Sequence, residues 1–199
     1  MEQNCGIVRT YYDNGIIQEE YFHNNGVKDG EYKLYFPNGN LSEVCYYMNG
    51  IVEGQIRRYH VNGNIAKIFY CVGGIKHGKY MFFDQYGNFR SIFNYVNDVI
   101  DGDYITYHDN EEIYEICNYV DGNKNGKSIE FRENGVLFKI CNYKDGELNG
   151  EYVEYYENGD IHKIYNYKND CADGNFEVYH SDGKLFIKGC YVDGNVIFT

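Results

Sequence analysis

Tryptophan is absent from this sequence, and a single proline, Pro37, occurs in 199 residues. That composition excludes a proline-rich linker or a polyproline module. No apolar run approaches the roughly 18 residues that a membrane-spanning helix needs. The first ten residues lack a basic start and an apolar core, so no signal peptide is expected. Positive charge is scarce as well. Lys and Arg total 18 against 30 Asp and Glu, a formal net charge of -12. The imbalance is uneven, because residues 1–101 carry 9 basic and 11 acidic groups whereas residues 102–199 carry 9 and 19. An acidic surface repels phosphate backbones and anionic headgroups. Nucleic acid is excluded as a partner on this ground. A membrane-surface role would need a local basic patch that the sequence does not display.

What is present is aromatic and flexible: 24 Tyr, 12 Phe and 23 Gly, within a chain that is 43% hydrophobic. Many Tyr with many Gly suggest short strands between tight turns. The order of these residues is periodic. Counting from Gly6, Gly30, Gly54, Gly78, Gly102, Gly126, Gly150 and Gly174, each step is 24 residues. The sixth position is aromatic in every copy, from Tyr11 to Tyr179. The ninth and tenth are usually Asn-Gly, as in Asn14-Gly15 and Asn158-Gly159, and the twelfth is Ile, Leu or Phe. The eighteenth is usually Tyr, and the twenty-first is Gly or Asp. A gapless register means that each repeat stacks on its neighbour, since one extra residue would misalign every later contact.

Asn-Gly between apolar-rich runs signals a hairpin whose type I′ turn places both central residues at positive φ. Each repeat therefore reads as a strand, an Asn-Gly turn and a second strand, with the next turn near position twenty-one. The expected fold is all-β, an elongated single-layer antiparallel β-meander of about eight stacked two-stranded hairpins, sixteen strands in all. Residues 1–5 form a lead-in and residues 6–199 one repeat domain. Positions three and six are both aromatic although strict alternation puts them on opposite faces. Either a bulge intervenes or both faces are partly covered.

The pattern Gly-x-Tyr-x-x-Tyr-[Tyr/Phe]-x-Asn-Gly, clearest at Gly30–Gly39 and Gly150–Gly159, resembles the MORN repeat. It is closer to the variant form found in bacterial proteins labelled as antitoxins and in giant-virus arrays. The resemblance covers residues 6 to about 198. It implies a scaffold for protein–protein interaction or self-association, so a protein partner or a second copy is expected. The alternatives it implies are a peripheral lipid-associated module and a neutralising partner of another protein. Glu111 departs from the pattern in the first turn of its repeat, which suggests another turn type there, and Asp98 and Asp170 replace Gly in the second turn.

Candidate chemistry is sparse. The odd number of Cys, seven, in a chain without an export signal points to free thiols in a reducing, intracellular and cytoplasmic setting (the host cytoplasm for a virus). Cys45, Cys117 and Cys141 share position sixteen and fall in slots that Phe or Tyr fill elsewhere, as core residues would. His60, His108 and His180 share position seven, roughly 20 and 30 Å apart on strand spacing, too far to share a metal. They read as polar groups on an exposed strand. Repeated carboxylates such as Glu151, Glu154 and Glu157 read as solvation and edge protection. The sequence thus predicts no enzyme, with no catalytic, cofactor or metal site. One position varies informatively. Position seventeen is Phe22, Tyr46 and Tyr70 in the first three repeats, then Asn94, Asn118, Asn142 and Asn166. Duplication of one Asn-bearing repeat explains the second set. The sharper reading is an interaction strip formed by Phe22, Tyr46 and Tyr70.

Overall fold

The computed structural model describes residues 4–192 and 195–197. Gly194, at position twenty-one of the eighth repeat, lies outside the described residues, as do most of the lead-in and the last two positions. Every regular element among the described residues is a β-strand. The strands fall into two compact halves, residues 1–99 and 100–199.

The N-terminal half holds β1 (Cys5–Tyr11), β2 (Ile17–Asn24), β3 (Val27–Tyr35), β4 (Leu41–Met48), β5 (Ile51–Tyr59), β6 (Ile65–Val72), β7 (Ile75–Phe83) and β8 (Phe89–Val96). Each pairs antiparallel with the next, in chain order. The C-terminal half holds β9 (Val99–Tyr107), β10 (Ile113–Val120), β11 (Asn123–Lys124), β12 (Gly126–Phe131), β13 (Leu137–Lys144), β14 (Glu147–Tyr155), β15 (Ile161–Lys168), β16 (Cys171–Ala172), β17 (Gly174–Tyr179), β18 (Leu185–Val192) and β19 (Asn195–Ile197). It follows the same meander. The expected sixteen strands become nineteen among the described residues, for a local reason. The Asn125 and Asp173 amides donate to the carbonyls of Asn118 and Asn166, at 2.8 and 2.9 Å, which splits two strands, and β19 adds a short last one.

The turns correct the sequence reading. The type I′ turn lies at the second corner of the repeat, not at the Asn-Gly of positions nine and ten. Asn24 pairs directly with Val27, and the two residues between them, Asn25 and Gly26, have φ of 50° and 83°. At the first corner, Tyr11 pairs with Ile17 across five residues. There the Gly15 amide donates to the Tyr12 carbonyl and the Tyr12 amide to the Ile16 carbonyl. Only Gly15 takes positive φ, so the corner is a type I turn closed by a glycine bulge. Glu111 does not change the turn type. It adopts φ 66° and keeps the same bond, its amide donating to the His108 carbonyl. Asp98 and Asp170 likewise hold φ of 65° and 63° in the second turn.

A register shift does fall between positions three and six, since Leu34 opposes Glu43 and Tyr35 opposes Leu41, and a wider bulge precedes position three. Tyr21 opposes Tyr32 and His23 opposes Lys28, so Asp29, Gly30 and Glu31 together face Phe22. Gly30 has φ 128°, and a Cβ there would meet the Phe22 Cβ at 3.4 Å. One face of the N-terminal half carries the core: Tyr32, Cys45, Ile56, Phe69 and Cys71, flanked by Tyr21, Leu34, Tyr47, Val52 and Tyr80. Rings stack along it, with Phe69 to Tyr80 at 5.5 Å and Tyr80 to Phe93 at 4.7 Å. Because one sheet has no second layer, long side chains cover this face. The Lys28 ammonium lies 4.4 and 4.2 Å from the Tyr21 and Tyr32 rings. In the C-terminal half, Cys117, Cys141 and Phe176 are buried together with Ser128, Glu115 and Glu130. The expected core role of Cys45, Cys117 and Cys141 holds, and all three are free thiols.

Candidate interaction surface

Cross-strand pairs share a face, as do residues two apart in a strand. Glu20 opposes Lys33, Lys33 opposes Val44, Val44 opposes Arg57, and Arg57 opposes Ile68. Phe22, Tyr46 and Tyr70 stand two residues beyond Glu20, Val44 and Ile68. They therefore share one face, opposite the Tyr32–Phe69 core. The structure brings all three predicted residues onto one side of the N-terminal half. They are 38%, 53% and 38% exposed. Ile7, also exposed, opposes Phe22, and Glu31 opposes Tyr46. Gln55 donates to the Tyr70 hydroxyl at 2.8 Å.

A second column runs beside the aromatic one, and the sequence reading missed it. Position four is Arg9, Lys33 and Arg57 in the three repeats with an aromatic at seventeen. It is Ile105, Ile129 and Val153 in the fifth to seventh repeats, which carry Asn at seventeen. The signal was a covariation between two positions that only the strand register places on one face. Arg9 and Lys33 are paired with Glu20 and Glu31, at 2.5 and 2.6 Å. Arg57 donates only to the Gln55 amide oxygen, at 2.8 Å.

In the C-terminal half the same positions do structural work. The Asn142 and Asn166 side chains donate to the carbonyls of Glu151 and Asn175, both at 2.9 Å. Each bond bridges the bulge opposite its Asn, where the ladder is interrupted. The aliphatic column pairs Ile116 with Ile129 and Ile140 with Val153.

Position seven corrects the reading of the histidines. His60 and His108 are half-buried and bond onward, His60 Nε2 lying 3.0 Å from the Phe83 carbonyl and His108 Nε2 2.8 Å from that of Phe131. The Tyr12 and Tyr156 hydroxyls and the Arg132 guanidinium donate to the equivalent carbonyls of Tyr35, Tyr179 and Tyr155. In these five repeats position seven thus clamps one repeat to the next. It also packs on position thirteen of its own repeat, as in His108 on Tyr114, Tyr156 on His162 and Arg132 over Phe138.

The carboxylates are not all solvated. Glu115 and Glu130 oppose each other on the core face and are buried. Lys124 lies 2.5 Å from Glu115, and Lys139 lies 2.6 Å from Glu130. The Ser128 hydroxyl donates to Glu115 at 2.8 Å. Burial opposes the Lys124 charge, but the bond to Glu115 outweighs it and raises the ammonium above its usual value. Glu154 is held by Lys163, His162 and the Tyr152 hydroxyl. Burial pushes the Cys45 thiol up to about 12 and Cys117 to about 11, the opposite of an activated nucleophile. Among the described residues no group of three or more His, Cys, Asp or Glu side chains is placed to hold a metal ion. A cleft of about 320 Å³ on the N-terminal core face is rimmed by Glu43, Arg58, Lys76 and Asp98. Its charges pair internally, Arg58 with Glu43 at 2.5 Å and Lys76 with Asp98 at 3.7 Å.

A family model described as "MORN repeat variant" matches residues 4–25, 28–49, 100–121, 124–145, 148–169 and 172–193. No curated protein sequence matches the chain. Among solved structures, it is similar to the GtfA/B complex bound to UDP and GlcNAc, at 11% identity and TM-score 0.26 over 57% of this chain and 22% of that one. It is also similar to TcdB2-TccC3, at 11% identity and TM-score 0.26 over 96% of this chain and 13% of that one. A porin-like protein from Bacteroides uniformis matches at 8% identity and TM-score 0.20, over 97% and 92% of the two chains. The chain spans less than a quarter of the length of the first two.

Proposed function

The chain belongs to the MORN repeat variant family, and on that premise we propose that it is a non-enzymatic scaffold that binds another protein or itself through the Phe22, Tyr46 and Tyr70 face. MORN repeats are generally protein- or membrane-binding modules and not a known enzyme family. The observation that carries the proposal is the exposed aromatic column with a basic column beside it, confined to the first three repeats. Aromatic residues and Arg are enriched where proteins meet. The later repeats put bulge-bridging Asn and aliphatic residues at the same positions. The free thiols support an intracellular setting.

The test is capture from cells of the source organism with the wild-type chain and a Phe22→Ser, Tyr46→Ser, Tyr70→Ser variant, followed by titration of the purified partner. Loss of binding by the folded variant supports the reading. An unchanged partner and affinity would overturn it. Flotation with anionic vesicles tests the lipid alternative, and strong binding there would replace a protein partner.

A further inference from the structure

On the core face a ring at position three meets a ring at position eighteen in the second, fourth, fifth, seventh and eighth repeats. Tyr32 with Tyr47 at 5.5 Å and Phe176 with Tyr191 at 5.0 Å are examples. The third repeat carries Ile56 and Cys71 at these positions and lacks both rings. Two other repeats also depart from the rule. In the first, with Val8 and His23, the Lys28 ammonium lies 4.4, 4.2 and 5.4 Å from the Tyr21, Tyr32 and Tyr47 rings. In the sixth, Tyr143 keeps one ring, and Ser128 and Cys141 are wholly buried. In the third repeat the cleft of about 320 Å³ opens where the rings are missing, over Ile56, Phe69 and Cys71.

Two further departures bring charge to its mouth. Position five is Arg58 in this repeat and Thr, Leu, Phe, Glu or Val in the others. Asp98 replaces a glycine of the second turn, and its Oδ1 accepts from the Lys76 amide at 3.0 Å. Asp170 makes the same bond to Leu148, but there Tyr143 supplies a ring and Leu148 stands in place of Lys76. The mouth thus holds two cations, Arg58 and Lys76, and two anions, Glu43 and Asp98. Lys76 and Asp98 form the looser pair, 3.7 Å apart with both side chains substantially exposed, and such a pair contributes little by itself.

The volume is at the small end of ligand sites, so the occupant is a small molecule. The floor suits a flat apolar group. Phe69 already stacks on Tyr80, and an added ring would extend that stack. The Arg58 guanidinium carbon is 5.4 Å from the Phe69 centroid, and its half-exposed arm has room to shift onto an entering ring. A head of one sign would separate an ion pair at the mouth and leave one ion facing its like. A head of both signs answers both members of the loose pair. We infer that this cleft binds a small aromatic zwitterion, the chemical class of the free aromatic amino acids. Its ring takes the place of the missing rings, and its carboxylate and ammonium meet Lys76 and Asp98. The site lies on the face opposite Phe22, Tyr46 and Tyr70 and does not depend on the reading of that face.

Methyl-detected NMR of the full chain, titrated with L-phenylalanine, tests it. Saturable shifts are expected at Ile56 and Val52, with a Kd of about 1 mM or tighter. Ile129 and Val153, in the other half, should stay unmoved. L-Leucine has the head without the ring, and N-acetyl-L-phenylalanine amide has the ring without the charges. Each should bind roughly fivefold more weakly. Cys71→Tyr restores a ring beside Phe69, an arrangement that Phe93 and Tyr95 already show at 5.5 Å, and should abolish binding. Lys76→Leu leaves the floor intact and should weaken binding as blocking the charges does. No saturable shift at Ile56, equal binding of either control, or undiminished binding by both variants overturns the inference. The triple Ser variant of the opposite face should bind phenylalanine as the wild type does. Loss of a protein partner there and loss of phenylalanine here are therefore separate results.

Discussion

The asparagine at position nine of the repeat serves two turns at once. Asn62 Oδ1 accepts from the Asn64 amide within its own turn, and its Nδ2 donates to the Gln85 carbonyl, 23 residues on. Asn14, Asn38, Asn110 and Asn158 do the same toward Pro37, Val61, Glu133 and Ser181. Replacing Asn62 with Ala should cost about 1 kcal/mol, since both bonds are at the surface, and urea unfolding measures it. The Asn-Gly pair was visible in sequence, but its turn type was not. The dipeptide suits either corner, and only the number of residues between paired strand ends separates the two. Five residues span Tyr11 to Ile17, whereas two span Asn24 to Val27. Thiol reactivity belongs to this scale too. Cys5 and Cys171 are exposed, while Cys45 and Cys141 are buried and their thiols raised. Alkylation near pH 8 followed by peptide mass mapping should label Cys5 and Cys171 first, with Cys45 and Cys141 labelled only on unfolding.

Among the elements, the second corners are the most constrained. Gly50 has φ 82°, and a Cβ there would lie 3.0 Å from Val27 Cγ1. Gly50→Ala therefore meets both backbone strain and a neighbouring repeat, and should lower stability by roughly 1–2 kcal/mol in chemical denaturation. The buried carboxylates of β10 and β12 carry a larger stake. Glu115→Ala leaves Lys124 and Ser128 without their partner, at a cost of about 3 kcal/mol, and hydrogen exchange should report it first in β10–β13. Sequence did not reveal this site, because Glu115 and Glu130 lie 15 residues apart and meet only through the register of β10 with β12. At the first corner of the fourth repeat, Asp84 stands where other repeats have His, Tyr, Phe or Arg. Partial desolvation works against its charge, but hydrogen bonds from Arg90 and from Asn88 and Tyr86 pull its carboxyl down to about 2. A folded-state value below the unfolded one stabilises above the unfolded value, and that contribution is lost as pH falls through the folded one. The stability gap between wild type and Asp84→Asn should therefore close between about pH 4 and pH 2.

For the whole molecule, the repeat period was fully legible from sequence, because a constant 24-residue step demands that each copy meet its neighbours alike. The candidate face was legible in part. Phe22, Tyr46 and Tyr70 stood out, yet their partners Arg9, Lys33 and Arg57 did not. Two columns become one surface only when bulges fix which residues look the same way. The charge imbalance gains meaning in the same manner. Numbers alone separate an acidic half from a nearly neutral one, and the structure places exposed Glu112, Glu133, Glu157, Asp160 and Asp182 in the first-corner turns of the acidic half.

The bonds that reach 23 residues ahead have a consequence for how such a chain can change its length. The first to third and fifth to seventh repeats hand donors forward, through Asn at position nine, a polar group at position seven, or both. A duplicated or excised copy, provided that it is whole, restores the same seam on either side. In-frame edits of complete repeats should be tolerated where the loss of one residue is not. Lengthening the array would then adjust how many aromatic rungs or acidic turns it displays without redesigning a single contact.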